Sequence, residues 1–135
     1  MKVSIFVFVV IGMIVQSLPI KANTDCGSDS NRMISQYYQA LQAGDVRQLS
    51  NLVAGDYARK NNALYQNPAY PDHLINHYAN LSYSVSKCET VAGQRVRLVV
   101  EESLTDGESY PMVFTLEQSP DSQLQIIDVT LQLTE

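Results

Sequence analysis

An α+β fold is predicted by three features of the sequence. Apolar residues recur at three- and four-residue spacings up to about residue 80, they alternate with polar residues from Leu81 onward, and the two patterns do not intermix. Helices first and strands second imply an antiparallel sheet with the helices packed on it, not alternating βαβ units. The first helix rests on Met33, Ile34, Tyr37, Tyr38 and Leu41, which share one helical face. Ser28, Asp29 and Ser30 are its candidate N-caps, and Gly44 stops it. Asp45 caps a second helix with Gln48 at the capping-box offset, and Val46, Leu49, Leu52 and Val53 form its buried stripe before Gly55 ends it. Residues 56–70 are polar and rich in Asn and Tyr and are expected to be irregular. Pro71-Asp72 then starts a third, short helix through about Asn80.

In the strand half, Leu81, Tyr83 and Val85 alternate with Ser82, Ser84 and Ser86, which places Cys88 on the hydroxyl face. Ala92-Gly93 is the expected turn into a second strand with Val96, Leu98 and Val100 on its apolar face. Asp106-Gly107 is a hairpin signal before Tyr110, Met112, Phe114 and Leu116, and Ser119-Pro120-Asp121-Ser122 turns the chain again. In the last strand Leu124 and Ile126 are followed by Ile127, Val129, Leu131 and Leu133, so the apolar parity slips by one. A β-bulge at Ile126-Ile127 restores a single inner face and bends the strand. The result is a curved four-stranded meander around three helices.

Residues 1–22 read as a secretory signal peptide: Lys2, an uncharged run from Val3 to Ile20, and the small Ala22 at the cleavage point. They carry two of the chain's nine basic side chains and none of its 14 acidic ones, so residues 23–135 form one domain of 113 residues with a formal charge of −7. An acidic domain with scattered basic residues lacks the clustered Lys and Arg that nucleic acid requires, so no nucleic-acid partner is expected. Beyond residue 22 no apolar run approaches the roughly 20 residues needed to span a bilayer. Stable membrane insertion is therefore not expected after cleavage, and the expected location is periplasmic or secreted. Asp25 directly before Cys26 argues against acylation of that cysteine. A disulfide from Cys26 to Cys88 suits an oxidising compartment and, by closing about 60 residues, restricts the unfolded chain by roughly 4 kcal/mol.

The run Tyr37-Tyr38-Gln39-Ala40-Leu41-Gln42-Ala43-Gly44-Asp45, followed by Leu49, Leu52 and Asp56-Tyr57, resembles the opening of the nuclear transport factor 2-like superfamily. Its members join their first two helices through an Ala-Gly-Asp corner, and the order of elements over residues 29–133 is similar. The resemblance implies a cone-shaped fold. It leaves function open, because the superfamily contains isomerases, dehydratases, transport factors and secretion-system components. Against the ketosteroid isomerases, Tyr37 falls where those enzymes keep their oxyanion-stabilising tyrosine. The position of their aspartate base falls on Asn61, which cannot take a proton from carbon, and the stretch around Val113 and Phe114 is apolar where their second acid lies.

These readings point to a non-catalytic binding or accessory module that takes a small apolar molecule or an envelope protein. Tyr37, Tyr57, Tyr65 and Phe114 are the candidate ligand-binding residues, and Asn61, Asn62 and Asn67 join the rim. The domain has eight Tyr against one Phe, because Phe6 and Phe8 fall in the signal segment, and Tyr pairs an apolar ring with a polar tip. An isomerase- or dehydratase-type enzyme is the alternative and requires Asp56 or His77 beside Tyr37; an envelope assembly component is a second alternative. His73 and His77 have helical metal-binding spacing but point outward with no third histidine, so they are at most a weak metal site. Glu101 and Glu102 are read with Arg95 and Arg97 as strand surface charges. No Gly-rich phosphate loop, Ser-His-Asp order or Cys-His spacing is visible, and no cofactor is expected. The resemblance also allows a homodimer through the open sheet face, where Val99, Val113 and Thr115 lie opposite the core.

Overall fold

The computed structural model describes residues 27–91, 94–104 and 107–132. The predicted signal peptide, Cys26, the Ala92-Gly93 turn, Asp106 and Leu133 lie outside them. Four helices, α1 (Ser28–Ala43), α2 (Val46–Leu52), α3 (Gly55–Tyr65) and α4 (Tyr70–Tyr78), precede four strands. These are β1 (Ser82–Val91), β2 (Arg95–Ser103), β3 (Ser109–Gln118) and β4 (Leu124–Leu131), paired antiparallel in the order β1-β2-β3-β4. The architecture is the predicted α+β cone with one helix more than the sequence pattern indicated.

The extra helix is α3, which occupies most of the stretch expected to be irregular. It has no fully buried residue, so it lacks the strong apolar stripe by which a helix is recognised. Gly55 does not end α2 but opens α3: α2 stops at Leu52, and Val53 extends to make a parallel bridge with Ile126, reinforced by Ala54 N–H donating to the Ile126 carbonyl at 2.9 Å. The N-cap of α1 is Gly27, without a side-chain cap, and Ser28, Asp29 and Ser30 already lie within the helix. The other two expected ends are as read from the sequence. Gly44 is left-handed (φ 66°), and a Cβ there would sit 2.7 Å from the Pro71 carbonyl, so the α1–α4 approach needs glycine. The Asp45 carboxylate accepts from Gln48 N–H at 3.1 Å.

Two β-bulges decide which residues enter the cone. In β4, Leu116 pairs with Ile126 and Thr115 with Asp128, leaving Ile127 as the extra residue, which is the bulge inferred from the parity slip. Ile126 is fully buried as a result. In β1 a second bulge at Ser86 was not foreseen: Val85 pairs with Val100, and Lys87 with Val99. The shift carries Cys88 from the expected hydroxyl face onto the core face, opposite the fully buried Leu98. The core joins Ile34, Tyr38 and Leu41 of α1, Leu49 of α2 and Leu74 of α4 to Leu98, Val100, Phe114, Leu116 and Ile126 of the sheet. Full burial of each large apolar side chain contributes about 1.5–3 kcal/mol. Val99 and Val113 pair on the opposite face, as expected.

Candidate functional site

Helix α1 projects two adjacent tyrosines into the cone. Tyr37 is 6% exposed and meets the fully buried Phe114 edge-to-face at 5.2 Å, so these two rings fill core space. The Tyr37 hydroxyl lies 3.3 Å from that of Tyr57, the half-buried tyrosine of α3. Tyr38 stacks on Tyr83 of β1 at 4.2 Å with the rings 14° apart, and its hydroxyl donates to Glu102 Oε2 at 2.5 Å. Burial is the main reason both α1 phenols are held well above the ordinary tyrosine range, with Tyr57 the next contributor for Tyr37 and Glu102 for Tyr38. Each therefore acts as a neutral phenol.

The sequence reading missed Glu102. Alternation along β2 puts Val96, Leu98, Val100 and Glu102 on the inner face and Arg95, Arg97 and Glu101 on the outer one, and the apolar parity of the strand carries that information. Arg95 and Arg97 pair instead with Glu117 at 3.2 Å and Glu89 at 2.7 Å. Glu102 sits between Tyr83 and Tyr110 on the neighbouring strands. Burial raises its carboxyl pKa above 4.5, while the Tyr38 hydrogen bond and nearby His77 pull the other way.

Around this carboxylate the helices supply more aromatic rings. Tyr65 and Tyr70 lie 6.2 Å apart, Tyr70 stacks with His73 at 6.0 Å, His73 with His77 at 5.8 Å, and His77 meets Tyr78 edge-on at 4.6 Å. The rings make a ledge along α4 that begins at a 450 Å³ cleft lined by Leu64, Asn67, Ala69, Tyr70 and His73. It ends at Tyr78, whose hydroxyl is pushed up to about 12 by burial first and by Glu102 second. Gln42 fixes that end: its Nε2 donates to the carbonyls of Tyr78 at 3.1 Å and Leu81 at 3.0 Å. Burial likewise raises Tyr57, Tyr65 and Tyr70.

No family profile and no curated protein matches the chain. Solved structures do. A protein of unknown function from Shewanella oneidensis superposes with a TM-score of 0.59 at 13% identity, covering 76% of this chain and 95% of its own. A second from Shewanella baltica gives 0.53 at 12% identity over 78% and 90%. A candidate ketosteroid isomerase from Shewanella frigidimarina gives 0.51 at 13% identity over 78% and 95%. The first two are described as nuclear transport factor 2-like. This chain has the nuclear transport factor 2-like fold.

Within this nuclear transport factor 2-like cone the predicted residues separate. Tyr37 and Phe114 are core, whereas Tyr57 and Tyr65 are half-buried toward the ledge. Asn61, at the isomerase base position, donates Nδ2–H to its own helix, at the Tyr57 carbonyl 2.7 Å away. Asp56 is exposed and ion-paired with Arg59. His77 is exposed on α4, as is His73. No group of three or more metal-ligating side chains is assembled among the described residues. No cysteine is free among the described residues.

Proposed function

We propose that this chain is an exported, non-catalytic binding module whose site is the aromatic ledge and the half-buried Glu102 beside it, and whose ligand is a small, largely apolar molecule. One observation carries the reading: the rings from Tyr65 to Tyr78 link an open cleft to a carboxylate on the inner face of the sheet. Rings supply apolar area and the phenol tips supply hydrogen bonds, a combination suited to an amphipathic guest. The core packing of Tyr37 and Phe114 supports placing the ligand along α3 and α4 rather than deep in the cone. Export, periplasmic or secreted location, and a Cys26–Cys88 disulfide belong to the same proposal, supported by the signal-like residues 1–22 and by the absence of a free Cys88 thiol. No helix among the described residues is long and apolar enough to cross a membrane.

Native mass spectrometry of the protein isolated from its own envelope tests the reading. A non-covalent mass increment that disappears on unfolding is the expected result. An unliganded mass with a co-purified protein instead replaces the small-molecule ligand with a protein partner. A homodimer through the outer sheet face of Val99, Val113 and Thr115 is part of the proposal and gives twice the chain mass in the same spectrum.

A second reading, an isomerase- or dehydratase-type enzyme, draws on Glu102 alone. A desolvated carboxylate with a raised pKa is a competent proton acceptor or donor, whereas exposed Asp56 and His77 are not built into the cone. Solvent deuterium exchange into an enolisable ketone, abolished by Glu102→Gln, would establish that reading over the first.

A further inference from the structure

The ligand-binding reading leaves open what Glu102 is for, and the surrounding charges narrow the answer. The four ion pairs among the described residues are Arg32–Asp29, Arg59–Asp56, Arg95–Glu117 and Arg97–Glu89, all with exposed side chains. None involves Glu102. Its one hydrogen-bond donor among the described residues is the neutral Tyr38 hydroxyl. Taking a carboxylate partly out of water with no Lys or Arg paired to it, and only the exposed His77 nearby, is unfavourable, and a Gln there would accept from Tyr38 without that cost.

We propose that the ligand is an organic cation, an amine or ammonium group on an apolar or aromatic body, with Glu102 as its counter-charge. This rests on the binding-module reading above and adds the charge of the guest. Three features fit that chemistry. Tyr38 is fully buried and stacked on Tyr83, so the rings near Glu102 that a guest can reach are the partly exposed Tyr78 and Tyr83 and the exposed His77, and tyrosine faces attract an ammonium group by cation–π interaction. The phenols are neutral, so they offer acceptor oxygens without adding a second full charge. The cleft at Leu64 and Tyr70, at the far end of the ledge, suits the apolar body. An anionic guest would instead meet the Glu102 carboxylate and phenol oxygens, with no Lys or Arg lining the cleft or paired with Glu102 and only the histidines of α4 to receive it.

The test titrates the chain purified from its expressing cells with benzyltrimethylammonium, benzylamine and the neutral benzyl alcohol, read by amide shifts in NMR. The two cations should bind at least about tenfold more tightly than the alcohol, a preference worth about 1.4 kcal/mol. Glu102→Gln should erase that preference while retaining weak binding of the alcohol, and Glu101→Gln on the outer face should leave it unchanged. The Gln variant keeps an acceptor for Tyr38, and an unchanged amide spectrum away from β2 verifies its fold. Equal binding of alcohol and cations, or a preference that survives Glu102→Gln or is lost with Glu101→Gln, overturns the cation proposal and leaves the binding module standing. No saturable shift with any of the three probes overturns both.

Discussion

Replacing Tyr38 by Phe removes one hydroxyl from the centre of the helix–sheet interface and leaves the ring in place. The Tyr38–Tyr83 stack at 4.2 Å and the packing on Phe114 at 5.9 Å survive, so no apolar burial is lost. What is lost is the donor to Glu102 at 2.5 Å. A hydrogen bond to a charged group contributes about 1.5–3 kcal/mol. Glu102 is only half-buried, and water can replace part of the bond, which brings the expected loss down to about 1–2 kcal/mol. The sign with pH follows from the same contact. Glu102 has a folded pKa above its ordinary 4.5, so the chain pays for ionising it, and wild-type stability falls as pH rises through that window. Tyr38 stabilises the ionised form, so its removal raises the Glu102 pKa further and costs most at neutral pH. At pH 4 the carboxyl is mostly neutral in both folded and unfolded chains, and chiefly an uncharged hydrogen bond of about 0.5–1.5 kcal/mol is at stake. Urea unfolding of wild type and Tyr38→Phe at pH 7 and pH 4 measures both values. An equal loss at the two pH values, or none at pH 7, would refute the claim that Tyr38 holds an ionised Glu102.

Three further substitutions test the frame around the site. Gly44→Ala should cost about 1–3 kcal/mol in a urea midpoint, because the left-handed φ strains any L side chain and the added Cβ meets the Pro71 carbonyl at 2.7 Å. Gln42→Ala removes both donors to the Tyr78 and Leu81 carbonyls and should destabilise by roughly 1–3 kcal/mol, with faster amide exchange at Leu81 where β1 begins. Cys88→Ser should lower stability by about 4 kcal/mol if the Cys26 loop of about 60 residues is closed, and reductant should then destabilise wild type but not the variant. A wild-type melt indifferent to reductant would exclude the bridge.

The parts of this fold that were legible in the sequence are those where physics marks a residue type. Gly44 and Asp45 mark a corner because a left-handed residue closes α1 there and a short side-chain acceptor caps α2, and glycine and aspartate are among the few residue types suited to those places. Helix α3 was hidden because its inner contacts come from Tyr57, Ala58 and Tyr65 alone, none fully buried, amid polar residues that read as loop. Val53 makes a sheet bridge within what looked like a helical stripe, since a β-branched apolar residue serves either purpose.

The two bulges explain why one part of the site was visible and another was not. At Ile126-Ile127 two large apolar residues are adjacent, and alternation cannot bury both on one face, so the slip is written in hydrophobicity. At Ser86 the neighbours are Val85 and Lys87; Ser and Lys are both suited to solvent, and a slip there leaves no mark until Cys88 arrives on the inner face. Glu102 is the converse case. Its strand has no slip between Val96 and Ser103, so the same parity that buries Leu98 and Val100 must carry a carboxylate inward. A charge at a position that the pattern reserves for an apolar side chain conflicts with the core it joins, and such conflicts concentrate at functional sites. That conflict, more than the resemblance at the Gly44 corner, is what directs attention from the buried Tyr37 to the Tyr38–Glu102 pair.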